Sequence, residues 1–136
     1  MAVEITGIYT GNLKFELTHG PSGTVIRTAP PVDNNGDGSS FSPTDLASAA
    51  LGACMVTIVA MVAERDGIDC TGLGFHVEKH MSTTAPRRIG RLPVRITMPK
   101  GLTDEQKAKL ERAALTCPVH HSLHPDIEKP VTFIYE

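Results

Sequence analysis

The chain has no tryptophan and few aromatics of any kind, two tyrosines and four phenylalanines in 136 residues. It also lacks a charge excess of either sign, with 13 Lys and Arg against 15 Asp and Glu and a formal net charge of -2. A basic patch for nucleic acid and a polybasic membrane anchor are therefore both excluded, leaving small molecules or proteins as expected partners. The N-terminus shows no basic start followed by an apolar run and a small-residue cleavage site, so a cytoplasmic location is expected. Cysteine is scarce too. Three of them, an odd number without CxxC spacing, argue against a disulfide framework and against a structural zinc site. In a reducing compartment such thiols are buried, catalytic or redox-responsive. No internal repeat stands out, and the length suits a single domain, 1–136, better than two.

One further absence organises the rest. From Leu46 to Ala63 there is no charged residue, and the stretch Ser42–Arg65 reads as one long helix with Cys54 near its middle. Ser42 is placed to cap the free N–H groups, Pro43 suits the first turn, and Asp45 meets the positive helix end. The run approaches the length of a bilayer span, but Ala47, Ser48, Ala49, Ala50, Gly52, Ala53 and Thr57 make it small-residued and weakly apolar. A core helix packed closely on several sides is the expectation. A helix apolar all round needs cover on every face, and a second subunit is expected to supply it.

Before this helix, Val3–Tyr9, Leu13–Thr18 and Thr24–Thr28 read as an antiparallel meander, with Leu13, Phe15 and Leu17 alternating with Lys14 and Glu16. Residues 29–41 hold Pro30–Pro31 and an Asp/Asn/Gly run, the composition of an exposed loop. After it, Leu73, Phe75 and Val77, then Leu92, Val94, Ile96 and Met98, alternate with polar residues as two half-buried strands joined by a turn near Thr83–Arg88. Pro93 on the polar side suggests an edge or a bulge. Thr103 with Gln106 forms a capping box for an amphipathic helix Asp104–Leu115, with Glu105 and Lys109 spaced to pair. A short helix follows from Cys117–Pro118, and Val131, Phe133 and Tyr135 form a last strand. Strands, long helix, strands, helices and strand make an α+β pattern.

Cys117, at a helix start followed by Pro118, is placed where the helix end favours the thiolate; the plain alternative is a cap or core cysteine. Cys54 among Ala and Val reads first as a small apolar residue, and Cys70 as structural or surface. His120, His121 and His124 follow Cys117 closely. Their spacing is poor for a metal, because His121 points away from the face that His120 and His124 would share, so they read as surface or cleft residues, one of them able to act as a base beside the thiol. No metal and no cofactor are called for.

The segments SPTDLASAALGAC, Ser42–Cys54, and ALTCPVHHSL, Ala114–Leu123, together resemble the OsmC/Ohr family, the osmotically inducible and organic hydroperoxide resistance proteins. The resemblance implies an OsmC-like α+β fold, with antiparallel sheets wrapped around long central helices in an intertwined homodimer. It further implies a thiol-dependent peroxidase in which Cys54 attacks an organic hydroperoxide, Cys117 resolves the sulfenic acid, and an external dithiol restores both. Peroxidase members of that family carry a Glu ten residues before the helix cysteine, acting with an Arg from the N-terminal region. Here Thr44 occupies that position, and Arg27 is the sole Arg upstream of the helix. The alternative is a non-enzymatic redox-sensing or stress-response binding protein of the same fold.

Overall fold

The computed structural model describes every residue, Met1–Glu136, and the chain forms two compact units, Met1–Leu46 and Ala47–Glu136. The N-terminal unit is the expected meander, β1 (Ile5–Gly11), β2 (Lys14–His19) and β3 (Val25–Thr28), antiparallel in that order. Asn12 and Leu13 both take left-handed backbone, φ 57° and 64°, the conformation that a two-residue hairpin turn demands because its twist matches the strands. Leu13 is thereby drawn out of the strand in which its alternation places it. The pattern of β2 is right in period, but Phe15 stays exposed, as do Ile5, Ile8, Tyr9, Val25 and Ile26. Three short strands bury neither face alone, so this unit presents apolar surface.

The loop that follows is closed at its base by Ala29 N–H donating to the Phe41 carbonyl at 3.0 Å. Inside it Gly36 is obligatory, since a Cβ there would lie 1.8 Å from the Pro30 carbonyl oxygen. Lys14 reaches Asp37 at 3.0 Å, and hydrogen bonds from Lys14 and Ser39 hold the Asp37 carboxyl down at about 2.

Helix α1 (Pro43–Arg65) starts on a reciprocal cap. The Ser42 N–H donates to Asp45 Oδ2 at 2.9 Å, and the Asp45 N–H donates to Ser42 Oγ at 3.0 Å, which satisfies two of the free donors of the first turn. Asp45 thus serves the backbone as well as the dipole. The helix ends at Gly67, φ 72°, with Ile68 N–H donating back to the Ala63 carbonyl at 2.8 Å, as a left-handed C-terminal glycine permits. By length and composition alone α1 would suffice to cross a membrane, a test that the core helix of a globular protein also passes. Ser48, Leu51, Gly52, Met55, Val59 and Ala63 are its buried positions, while Ala50, Ala53, Thr57 and Met61 on another face remain exposed.

In the C-terminal unit β4 (Gly74–Val77), β7 (Val94–Thr97) and β8 (Val131–Ile134) form one sheet in the order β4-β7-β8, and β5 (His80–Met81) pairs with β6 (Ile89–Arg91) in a small ribbon. The two long strands read from the alternation are therefore four. Pro93, with no N–H to give, sits at the break, and its carbonyl accepts from Glu78 N–H at 3.2 Å. A second departure concerns direction: β8 runs parallel to β7, so the sheets are not wholly antiparallel. Phe75, read as inward-facing in the first of the two stretches, is exposed, whereas the hydrophobic assignment stands for the second, since Leu92, Val94, Ile96 and Met98 are all fully buried. Each such side chain contributes about 1.5–3 kcal/mol.

Helix α2 (Asp104–Ala114) carries the full capping box, with Thr103 N–H donating to Gln106 Oε1 at 2.8 Å and Gln106 N–H to Thr103 Oγ1 at 3.1 Å. Lys109 does not close the expected pair with Glu105. Its Nζ reaches Asp66 Oδ2 at 2.6 Å, where the C-terminal end of α1 offers a carboxylate from a neighbouring element. Helix α3 (Pro118–Ser122) begins on Cys117 as read from the sequence.

Candidate active site

Two elements bring two thiols together. Cys54 lies on the flank of the buried stripe of α1, half-buried, while Cys117 is fully buried in the same apolar cluster as Leu51, Met55, Leu110 and Ala114. The turn after α2 sets Cys117 in place: Thr116 N–H and Oγ1–H both donate to the Ala113 carbonyl, at 3.0 and 2.7 Å. Pro118 then starts α3, and His120 N–H donates to Cys117 Sγ at 3.2 Å. Cys54, partly buried, packs against the cluster that encloses Cys117. Sixty-odd residues of chain separate them, and the fold closes that gap.

The electrostatics reverse one expectation. A helix-start cysteine reads as the activated thiol, yet burial first, and then the neighbouring Cys54, push the Cys117 thiol up, and the donated His120 and Val119 N–H groups do not offset them. Desolvation penalises the charged form, and a five-residue helix supplies little compensating dipole. Cys117 is thus biased toward its thiol form. The chemistry available to such a pair is sulfenic acid formation on one sulfur and condensation with the other.

Arg27, the third candidate, belongs to the N-terminal unit. It stands opposite Glu16 in the β2–β3 register and makes an ion pair with it at 3.6 Å, its side chain 73% exposed. Thr44 Oγ1 lies 3.1 Å from Ser42 Oγ, within the cap of α1. The histidines are dispersed in role. His120 is half-buried, and burial, followed by Lys129 and His121, lowers its pKa; His124 falls beyond α3, its Nδ1 accepting from Asp126 N–H at 3.1 Å. His124 therefore does not share a helix face with His120. No three His, Cys, Asp or Glu side chains gather as a metal would need. Cys70 is separate from the pair, half-buried with its Sγ 3.8 Å from the Ile68 carbonyl, and its thiol is pushed up by burial and by Asp69 and Glu64.

The fold is α+β, built on a long apolar helix that carries Cys54 beside the cluster burying Cys117. Comparison with known proteins makes that architecture specific. The family model of OsmC-like protein matches residues 36–129, and the chain belongs to that family. A crystal structure from Psychrobacter arcticus 273-4, provisionally described as an osmotic stress induced and detoxification response protein, is 38% identical, with a TM-score of 0.88 over 98% of this chain and 96% of that one. An organic hydroperoxide resistance protein OsmC from Legionella pneumophila shares the fold at 17% identity, TM-score 0.73, covering 98% and 96% of the two chains. So does an OsmC-like protein of unknown function from Vibrio cholerae, at 13% identity and TM-score 0.79, covering 98% and 99%. Among curated proteins, none matches the sequence.

Proposed function

We propose that the protein is a thiol-dependent peroxidase for organic hydroperoxides. The single observation that carries this reading is that Cys54 packs against the same apolar cluster in which Cys117 is buried. The Cys54 thiolate attacks the O–O bond, taking one oxygen as sulfenic acid and releasing the alkoxide, which leaves as the alcohol after gaining a proton from solvent. The Cys117 thiol then attacks the sulfenic sulfur, forming the disulfide and expelling water. An external dithiol is oxidised to its own disulfide as it returns both cysteines to thiols. Cytoplasmic residence suits that cycle, because dithiol reductants are maintained there. Arg27 enters this reading only as the resemblance assigns it, a cation for the thiolate, and Glu16 already holds its guanidinium.

One equivalent of cumene hydroperoxide added to the reduced protein is expected to give a Cys54–Cys117 bridge, seen as a linked peptide pair that disappears on reduction. A product containing only overoxidised Cys54, or no modification, sinks the two-cysteine cycle. A second reading, a redox sensor with little turnover, is favoured by one observation: Thr44 stands where peroxidase relatives carry Glu, and its hydroxyl is engaged in the helix cap.

The functional unit on this reading is a homodimer. The exposed apolar groups of the meander and the uncovered Ala50, Ala53, Thr57 and Met61 face of α1 support it. Sedimentation equilibrium at micromolar concentration is expected to give twice the chain mass of 14.6 kDa. A stable monomer there would contradict the dimer.

A further inference from the structure

We infer that the external dithiol enters the cycle at Cys54: its thiolate attacks the Cys54 sulfur of the bridge, and Cys117 is the leaving group. This rests on the two-cysteine reading for the existence of the bridge. Thiol–disulfide exchange runs along the S–S axis, with the incoming, attacked and departing sulfurs close to one line. The two ends of a Cys54–Cys117 bridge therefore differ in what stands behind them. Cys117 is fully buried, in the apolar cluster that holds Leu51 and Met55 of α1 and Leu110 and Ala114 of α2. A thiolate bound for that sulfur would have to enter the core and leave its hydration behind. Cys54 is only partly buried, on the flank of the α1 stripe. A hydroperoxide has to reach this sulfur in the first half of the cycle, and the opening that admits it also admits a thiolate in the second.

The departing sulfur also has a place to go. In the reduced protein Cys117 Sγ accepts the His120 N–H at 3.2 Å as the cap of α3, so negative charge leaving on that sulfur meets a donor already in position. Burial then favours uptake of a proton there. In the first step a bond forms between one sulfur of the dithiol and Cys54 Sγ while the Cys54–Cys117 bond breaks, and Cys117 takes the electron pair and then the proton. In the second step the other sulfur of the dithiol, as thiolate, attacks the dithiol sulfur of the mixed disulfide. The reductant closes its own disulfide and Cys54 is expelled as thiolate. Two electrons pass to the protein, and of the two protons that the dithiol gives up one ends on Cys117 and one in solvent. Cys54 thus emerges in the form that the next hydroperoxide meets.

A monothiol isolates the first step, because it attacks the bridge without completing the second. The bridge is made in the parent protein with diamide, the oxidant is removed, and glutathione is added. After quenching in acid and digestion with pepsin, mass spectrometry locates the adduct. Expected is glutathione on Cys54 with Cys117 free, in about tenfold excess or more over the reverse, since access decides which sulfur is attacked. Where reclosure of the bridge keeps the adduct below detection, single-thiol variants decide. With glutathione disulfide, Cys54 in Cys117→Ser is expected to take up glutathione about tenfold faster or more than Cys117 in Cys54→Ser, and the gap should close in guanidinium, where nothing is buried. An adduct mainly on Cys117, an even split, equal rates in the two folded variants, or no bridge with diamide would each overturn the inference. No peroxide is used, so a protein without peroxidase turnover leaves an adduct on Cys54 standing, and an adduct on Cys117 leaves the peroxidase reading standing.

Discussion

Replacing Cys54 by Ser is expected to reduce hydroperoxide consumption to background, a loss on the order of a thousandfold or more, as when any nucleophile is removed. The substitution is nearly isosteric on a half-buried flank of α1, so the fold should survive and the loss should be chemical. A serine hydroxyl stays protonated in this apolar setting and is a poor match for the O–O bond. Cys117 does not rescue it: its sulfur is fully buried and its thiol is biased toward the protonated form. The measurement is consumption of an alkyl hydroperoxide coupled to a dithiol reductant, with Cys70→Ser as the control, expected to keep parental turnover because its sulfur sits apart from the pair against the Ile68 carbonyl. Undiminished turnover in Cys54→Ser would remove that residue from the mechanism. Absence of turnover in the parent protein would favour the sensor reading, in which the same disulfide forms once and is read by a partner instead of being recycled.

Much of this arrangement could be read from residues alone, and the exceptions have physical causes. Caps are local chemistry, which is why Ser42 with Asp45, Thr103 with Gln106, and Cys117 with Pro118 all mark helix starts in the structure where the sequence puts them. Periodicity also named the buried set Leu92, Val94, Ile96 and Met98. What periodicity cannot carry is which element a side chain meets. Lys109 finds Asp66 across 43 residues instead of Glu105 one turn away, and β8 joins β7 in parallel because the intervening helices return the chain to the starting edge. The site shows the same division. A helix-start position argues for an activated Cys117, and only burial, a property of the whole packed cluster, reverses the sign. The approach of Cys54 to the cluster around Cys117 is equally non-local, implied by the resemblance of two motifs and not by their spacing.

Gly52 carries a long-range constraint that its place in a small-residue run does not disclose. In an isolated helix Gly52→Ala would gain about 1 kcal/mol of propensity. Here a Cβ at that position would lie 2.2, 2.4 and 2.9 Å from three atoms of the Phe75 ring, well inside contact, and Phe75 is anchored by the β4–β7 register opposite Ile96. Phe75 is 38% exposed, so the ring can yield only by leaving its rotamer and its place against α1, and overpacking of that kind costs about 1–3 kcal/mol. The clash therefore outweighs the propensity gain, and Gly52→Ala is expected to lower stability by about 1–2 kcal/mol, a fall of several degrees in Tm for a chain of this size. The double variant Gly52→Ala, Phe75→Ala isolates the cause. With the ring removed the added methyl has room, so the alanine should be neutral or stabilising relative to Phe75→Ala alone, with a coupling of at least about 1 kcal/mol. Equal losses from Gly52→Ala in both backgrounds would show that the ring contact is not what fixes this glycine. Because Gly52 lies two residues before Cys54 on the same helix, such a displacement would also disturb the thiol pair, and slower Cys54–Cys117 bridge formation in the single variant should be relieved in the double.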